Sequence, residues 1–472
     1  MAEPQDIRRA YDLIAEGRAD AALELTAALN VGPVPSEAAL SVHAVALKAA
    51  RRPTEALAVN RTAAQRYPAS RVAWHNLAAT LGDLGQAQEA EASARKAMAL
   101  GLGAPETRLV LARALQAQQR FDEAQAAFAE AIALRPDFND AHRDLAQLIW
   151  MRTADRTAAL AGLRQAVADH PANLFLRFIL ATAQEFTGDK PGARATLEEA
   201  LQVDPQDRTL LSLMVRLCCE TGEAAAALTW ARSVARMAQD PGADVMLAQA
   251  LLASGDPAGA EAAAARAAVA MPTDQSVLAM LATAWRMLGD PRYGVIYDYD
   301  RLVGVYDIAA EDDLEALRAA LHRLHGFTTH PFSQSVRFGS QAPLRLDGGH
   351  EAPIEAMLGR FRQAVADHIA GLTPGGDPFT ALSTGKAELS GAWSVRLGAA
   401  GHHTNHVHSL GWLSSVFYVA LPQETKDSAT RAGWLKFGEP GVATEPALAP
   451  EHYVEPRAGR LVLFPSYMWH GT

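Results

Sequence analysis

His406 and His408, separated by one residue in the run His402-His403-Thr404-Asn405-His406-Val407-His408, are the residues of this sequence best suited to chemistry. Side chains two apart on an extended strand leave the same face, so the pair can present two imidazoles to one metal ion. Spacing alone is a weak signal. It gains weight from a third histidine, His470, which follows the apolar run Gly459-Arg460-Leu461-Val462-Leu463-Phe464-Pro465-Ser466 and Trp469. Neutral imidazole is a strong nitrogen donor, and three of them gathered on one side of an ion leave the other side open to further ligands. His402 and His403 are expected to be exposed loop histidines, either of which could line the mouth of such a site.

These histidines need strands to hold them. Alternation begins at Leu389 and runs through Trp393-Ser394-Val395-Arg396-Leu397 before a glycine-containing turn leads into the histidine run. Gly411 to Pro422 reads as a central strand and Gly459 to Ser466 as a later one. Residues 311–324, with the acidic start Glu311-Asp312-Asp313, read as a helix. So do residues 352–371, with Ile354, Met357, Leu358, Phe361, Val365 and Ile369 at helical spacing. A jelly-roll barrel with flanking helices is the architecture that brings a late-strand histidine beside an early pair.

Up to about residue 290 the texture is different: alanine-rich, helical in pattern and periodic. Ala22, Ala56, Ala90 and Ala124 are each 34 residues apart, and Ala159, Ala193 and Ala227 resume that spacing after a one-residue slip. Glycines 188, 222, 255 and 289 follow the same rhythm, and prolines 136, 171, 205 and 272 close successive units. Within a unit, Trp74, Leu77, Ala78 and Leu81 mark one helix, Gly85 a turn, and Ala90, Ala94 and Ala97 a second helix. Small residues at 78 and 90 let the two backbones approach closely. Near residue 292 alanine thins and Tyr293, Tyr297, Tyr299 and Tyr306 arrive together, which marks a junction.

Lysine plus arginine total 43 against 53 for aspartate plus glutamate, a formal net charge of −10, which disfavours a nucleic-acid partner. No signal peptide is expected at Met-Ala-Glu-Pro-Gln-Asp and no membrane span anywhere, so a soluble cytoplasmic protein is the default expectation. The two cysteines, Cys218 and Cys219, read as buried small hydrophobes, with a redox or metal role as the alternative.

The repeats resemble the tetratricopeptide (TPR) consensus, whose positions recur most fully as Leu111, Ala112, Leu115, Ala124, Phe128, Ala131 and Pro136. About eight units are expected, forming a solenoid for a protein or peptide partner. The segments Trp393-Ser-Val-Arg, His406-Val-His-Ser, Trp412-Leu-Ser-Ser, Tyr418-Val-Ala-Leu-Pro, Phe464-Pro-Ser and Trp469-His-Gly-Thr look like the 2-oxoglutarate/iron(II) oxygenase family found fused to TPR arrays in bacteria. His330 to Gln341 resembles that family's upstream segment, so the likeness covers about residues 325–472.

The expected organisation is α+β and multidomain: an all-α TPR solenoid over 1–291, a junction at 292–310, and a double-stranded β-helix (jelly-roll) domain over 311–472 that lacks its last strand. The resemblance implies an Fe(II) centre on His406, His408 and His470, 2-oxoglutarate as cosubstrate, and hydroxylation of a carbon–hydrogen bond. It departs from the wider superfamily at His408, where Asp or Glu is usual. Relatives also hold the distal carboxylate of 2-oxoglutarate with an arginine on the strand after the last histidine, and this sequence stops two residues beyond His470. Tyr418 is the candidate hydroxyl for that carboxylate, or else plain core; Arg396 is a substitute cation, or else a surface charge. Zinc also suits three histidines. A TPR adaptor whose barrel is a non-catalytic metal-binding or structural module is the alternative function.

Overall fold

The 34-residue alanine rhythm becomes close helix packing. In the computed structural model, which describes residues 2–30, 35–237, 239–373 and 376–472, seventeen helices lead from α1 (Ala2–Ala15) to α17 (Gln275–Leu288). The chain divides into two compact units: Met1–Leu148 with Ala161–His170, and Ile149–Leu160 with Pro171–Thr472.

In the first unit, α5 (Arg71–Asp83) and α6 (Ala87–Ala99) show why the repeat folds as it does. Ser70 Oγ accepts from Ala73 N–H at 3.1 Å and so starts α5. Gly85, at φ +71°, makes the left-handed turn that other residues resist. Ala78 and Ala90 are wholly buried, while Leu77 and Leu81 join Leu57, Ala64 and Ala114 in one core with Trp74 against it. In α8 (Phe121–Leu134), Phe128 is fully buried among small residues, as its place in the consensus requires.

The second unit continues the helices from α11 (Leu174–Phe186) to α17. Asp207, Asp240, Asp256 and Asp274 cap the N-termini of α13 (Arg208–Glu220), α15 (Pro241–Ala253), α16 (Pro257–Ala270) and α17 through backbone N–H groups. Cys218 and Cys219 are buried in α13, and burial raises both thiols, Cys219 to about 12. They are protonated core residues.

Residues 292–310, expected as a junction, build structure: α18 (Arg292–Ile296), α19 (Tyr299–Leu302) and β1 (Gly304–Asp307). There follow a 3-10 turn (Glu311–Asp313), α20 (Leu314–His322), β2 (Val336–Leu344), α21 (Ala352–Gly371), α22 (Pro378–Ala381) and the strands β3 (Ala392–His403), β4 (Leu413–Phe417), β5 (Leu435–Phe437), β6 (His452–Val454), β7 (Arg460–Pro465) and β8 (His470–Gly471). They pair into three small antiparallel sheets, β1-β7-β4, β2-β3 and β6-β5-β8, a jelly-roll arrangement with α20 and α21 alongside.

Three details differ from expectation. The helix foreseen over 311–324 is a 3-10 turn followed by the shorter α20. The strand foreseen at Leu389 starts at Ala392. The segment foreseen as central is the edge strand β4, and β7 is central instead. The reason is legible in side chains: β7 is buried on both faces and apolar from Leu461 to Pro465, whereas β4 carries Ser414 and Ser415.

The core does not respect the change from repeats to barrel. Leu251, Ala279, Met280 and Ala282 of the helices share one cluster with Phe437, Phe464, Tyr467, Met468 and Trp469 of the barrel. Thus α17, with both flanks buried, belongs to both.

Candidate metal centre

His406 and His470 are held by the backbone of each other's segment. His406 N–H donates to His470 O at 2.9 Å and His470 N–H to His406 O at 3.1 Å, an antiparallel bridge. His408 N–H donates to Ser466 O at 3.0 Å. The histidine pair therefore lies in an extended segment just after β3, and not inside a regular strand as foreseen. The two side chains still converge, because the bridge to residues 466–470 keeps the chain extended through both. The three rings sit 4.2 Å (406 to 470), 5.0 Å (406 to 408) and 5.2 Å (408 to 470) apart between centroids.

Their nitrogens are oriented for coordination. His406 Nδ1 lies 2.9 Å from Thr404 O, and His470 Nδ1 lies 2.9 Å from Met468 O. A carbonyl can only accept, so Nδ1 carries the proton in each and Nε2 keeps its lone pair. One ligand atom from each of His406, His408 and His470 lies within 4.8 Å of the others. Burial holds all three imidazoles below their ordinary range, with the neighbouring rings adding to it at His408, which falls to about 4, and at His470. Three neutral donors at neutral pH fit a divalent transition metal, and His470, almost wholly buried, forms the floor.

His403 was expected in an exposed loop. It ends β3 instead, half-buried, its ring stacked 6.1 Å from that of His406 and its Nδ1 3.1 Å from Ser335 Oγ. Nothing local in the sequence marks this, because Ser335 comes from β2's leading segment. On the other side, the exposed Trp393 stacks on His408 at 5.9 Å. Two nearby tryptophans engage other elements: Trp412 stacks on Phe379 and donates to its carbonyl at 2.9 Å, and Trp469 donates to Thr283.

Tyr418 continues the ladder beyond β4, its N–H donating to Arg460 O at 3.0 Å. Alternation places its ring on the face of Ser414 and Val416, opposite Val462 and Phe464. Phe464 in turn abuts His470 at 4.6 Å. The Tyr418 hydroxyl is buried and has no hydrogen-bond partner among the described residues. Burial pushes its pKa up and the nearby Arg460 guanidinium opposes the shift. An unpaired buried hydroxyl costs about 1–3 kcal/mol.

Arg396 is not brought to the histidines. It shares a face of β3 with Ser394, paired to the side where His325 bridges Ser340 and Ser394, whereas Trp393 on the opposite face meets His408. Its guanidinium reaches Phe327 O at 3.4 Å. The cation beside Tyr418 is Arg460, a residue not singled out from sequence; it is buried and paired with Asp307 at 2.8 and 3.2 Å.

A separate cavity of about 580 Å³ lies on the repeat helices, lined by Phe178, Thr182, Arg208, Ser212 and Arg216 together with Ser333. Thr182 Oγ1 is buried there without a partner among the described residues. Ser333 precedes by two residues the serine that meets His403. No helix among the described residues is long and apolar enough to cross a membrane.

Residues 391–472 match the family model described as "Putative 2OG-Fe(II) oxygenase". Residues 72–100, 105–130 and 241–266 match tetratricopeptide repeat models. No curated protein matches the chain. Among solved structures, a tetratricopeptide repeat protein from Parabacteroides merdae is 14% identical, with 52% of this chain and 98% of that one covered and a TM-score of 0.37. A TPR protein from Thermus thermophilus is 24% identical, covering 41% of this chain and 100% of that one, with a TM-score of 0.32. Yeast Tom70 is 16% identical, covering 60% and 61%, with a TM-score of 0.46.

Proposed function

We propose, proceeding from a C-terminal region that matches a 2OG-Fe(II) oxygenase model behind TPR repeats, that the protein is an iron(II)- and 2-oxoglutarate-dependent dioxygenase acting as a hydroxylase. The repeats recruit a protein or peptide partner that is, or carries, the substrate. The observation that supports this best is the trio His406, His408 and His470, whose ligand atoms cluster within 4.8 Å while two of the rings have Nδ1 committed to the backbone.

Iron(II) bound there supplies, with 2-oxoglutarate, the activation of dioxygen for oxidation of a carbon–hydrogen bond. The protein's own residues do the positioning. The backbone acceptors Thr404 O and Met468 O fix the tautomers of two ligands. Trp393 shields one flank of His408, and the aromatic floor of Phe464 and Phe437 excludes water beneath His470. Tyr418, with Arg460 beside it, offers an unspent hydroxyl to the distal carboxylate of 2-oxoglutarate; Arg396 faces away. The repeat cavity, with its arginines, hydroxyls and Phe178, suits a polypeptide segment better than a small apolar molecule.

Reconstitution with iron(II) under air is expected to release succinate from 2-oxoglutarate, and absence of succinate with iron bound would defeat the enzymatic reading. Tyr418→Phe is expected to act twice. It stabilises the metal-free protein by about 1 kcal/mol, because an orphan hydroxyl is removed. It also raises the KM for 2-oxoglutarate roughly tenfold, because a charge-assisted hydrogen bond is lost. Thermal unfolding and succinate kinetics check the two effects.

One observation favours the alternative of a TPR adaptor with a non-catalytic metal module: the histidine cluster includes no carboxylate, and three imidazoles also form zinc sites. Zinc retained by protein purified without added metal, with no succinate after iron exchange, would support it.

A further inference from the structure

We infer that the last repeat helix is a working part of the metal centre: Thr283 of α17 and Tyr297 just after α18 position the ligand His470 by clamping the turn that precedes it. The inference rests on the metal-centre reading above.

The turn is gripped at three points. Trp469 Nε1 donates to Thr283 Oγ1 at 2.9 Å, and Thr283 passes its own hydroxyl proton to Ala279 O, one helical turn back, at 2.8 Å. The threonine oxygen is thus a committed acceptor for the indole. Tyr297 OH accepts from Trp469 N–H at 3.0 Å and donates to Tyr467 O at 3.2 Å, spanning Met468 from both sides. Tyr467 OH donates to Ile296 O at 2.7 Å. Thr283, Tyr297, Tyr467 and Trp469 are all buried, so water does not substitute for these bonds.

The clamp matters because Met468 O, held inside it, is the acceptor for His470 Nδ1. Tyr297 and Thr283 fix the flanking residues, those fix the carbonyl, and the carbonyl fixes the tautomer and rotation of the imidazole. Thr283 and Tyr297 bond to residues 467 and 469 and not to the ligand rings. Each is therefore a positioning residue acting through residues 467–469.

The test uses the full chain and cobalt(II), whose visible bands report coordination at a histidine site. Thr283→Val keeps the shape and removes the acceptor; it is expected to weaken cobalt(II) binding about tenfold or more and to change the band pattern. Thr283→Ser is expected to restore both. Tyr297→Phe, which removes a single oxygen, is expected to act in the same direction and decides the matter should Thr283→Val fail to fold. Thr80→Val serves as a control, since Thr80 is an equally buried threonine that bonds back to Asn76 O at 3.0 Å and accepts from Asn60 at 2.9 Å. It is expected to lower the melting temperature while leaving cobalt(II) affinity and spectrum as in the wild type. Wild-type cobalt(II) binding in both Thr283→Val and Tyr297→Phe would overturn the inference. Failure of the wild type itself to take cobalt(II) would instead overturn the metal-centre reading, and this inference with it.

Discussion

Replacing His470 by alanine is expected to abolish metal binding at micromolar metal and all succinate formation, the largest functional effect of any single substitution in the chain. Three features combine at this residue. It supplies one of three donors, and losing a ligand exceeds the roughly 10–100-fold cost of losing an outer partner. It is the most buried of the three, so no water-filled mouth allows a substitute donor to swing in. Its ring also packs against Phe464 at 4.6 Å and His406 at 4.2 Å, and alanine leaves a void between them. The backbone bridge between residues 406 and 470 survives the change, so the metal-free protein is expected to unfold only a few degrees lower. Isothermal titration with iron(II) or cobalt(II), beside a melting curve of the apo protein, separates loss of a ligand from loss of the fold.

The second large effect is on folding. A fragment starting at Glu311, the domain boundary expected from the sequence, is expected not to fold, whereas one starting at Ile149, which keeps the whole second unit, is expected to unfold cooperatively. The shorter fragment loses β1, which pairs with the central strand β7 from Gly304↔Leu463 to Asp307↔Arg460. It also loses the helical wall against which Phe437, Phe464, Tyr467 and Trp469 are buried. Leaving even three such side chains uncovered costs about 1.5–3 kcal/mol each. The whole stability of a domain is about 5–15 kcal/mol. Circular dichroism melts of the two fragments check this; a sharp transition in the shorter one would show that the barrel is self-sufficient.

What was legible in the sequence follows from how local each signal is. The TPR array is readable because its pattern recurs every 34 residues: buried Ala78 and Ala90, with a glycine turn between, fall within one window. The trio His406, His408 and His470 is readable because two members lie two positions apart and the third follows an apolar run. The partners of Trp469, His403 and Tyr418 are not readable, because they come from residues far away in sequence whose types are ordinary. A threonine in a helix and a serine before a strand carry no mark of what they will touch. Arg396 and Arg460 illustrate the limit. Both are strand arginines, and only the pairing register decides which face each takes, Arg396 opposite Ser340 in the β2–β3 ladder and Arg460 opposite Asp307 in the β1–β7 ladder.

The clamp on Trp469 also carries a consequence for the order in which the molecule forms. Its hydrogen bonds join residues 171, 172 and 186 positions apart. Contacts between successive repeat helices, by contrast, close over a few tens of residues. Closing long loops is entropically costly and slow, so local pairs form first. During synthesis the helices therefore assemble ahead of the strands, and β7 and β8 condense onto a surface already present. The histidine cluster therefore forms after the helices that support it, and metal uptake there is expected only once those helices have folded.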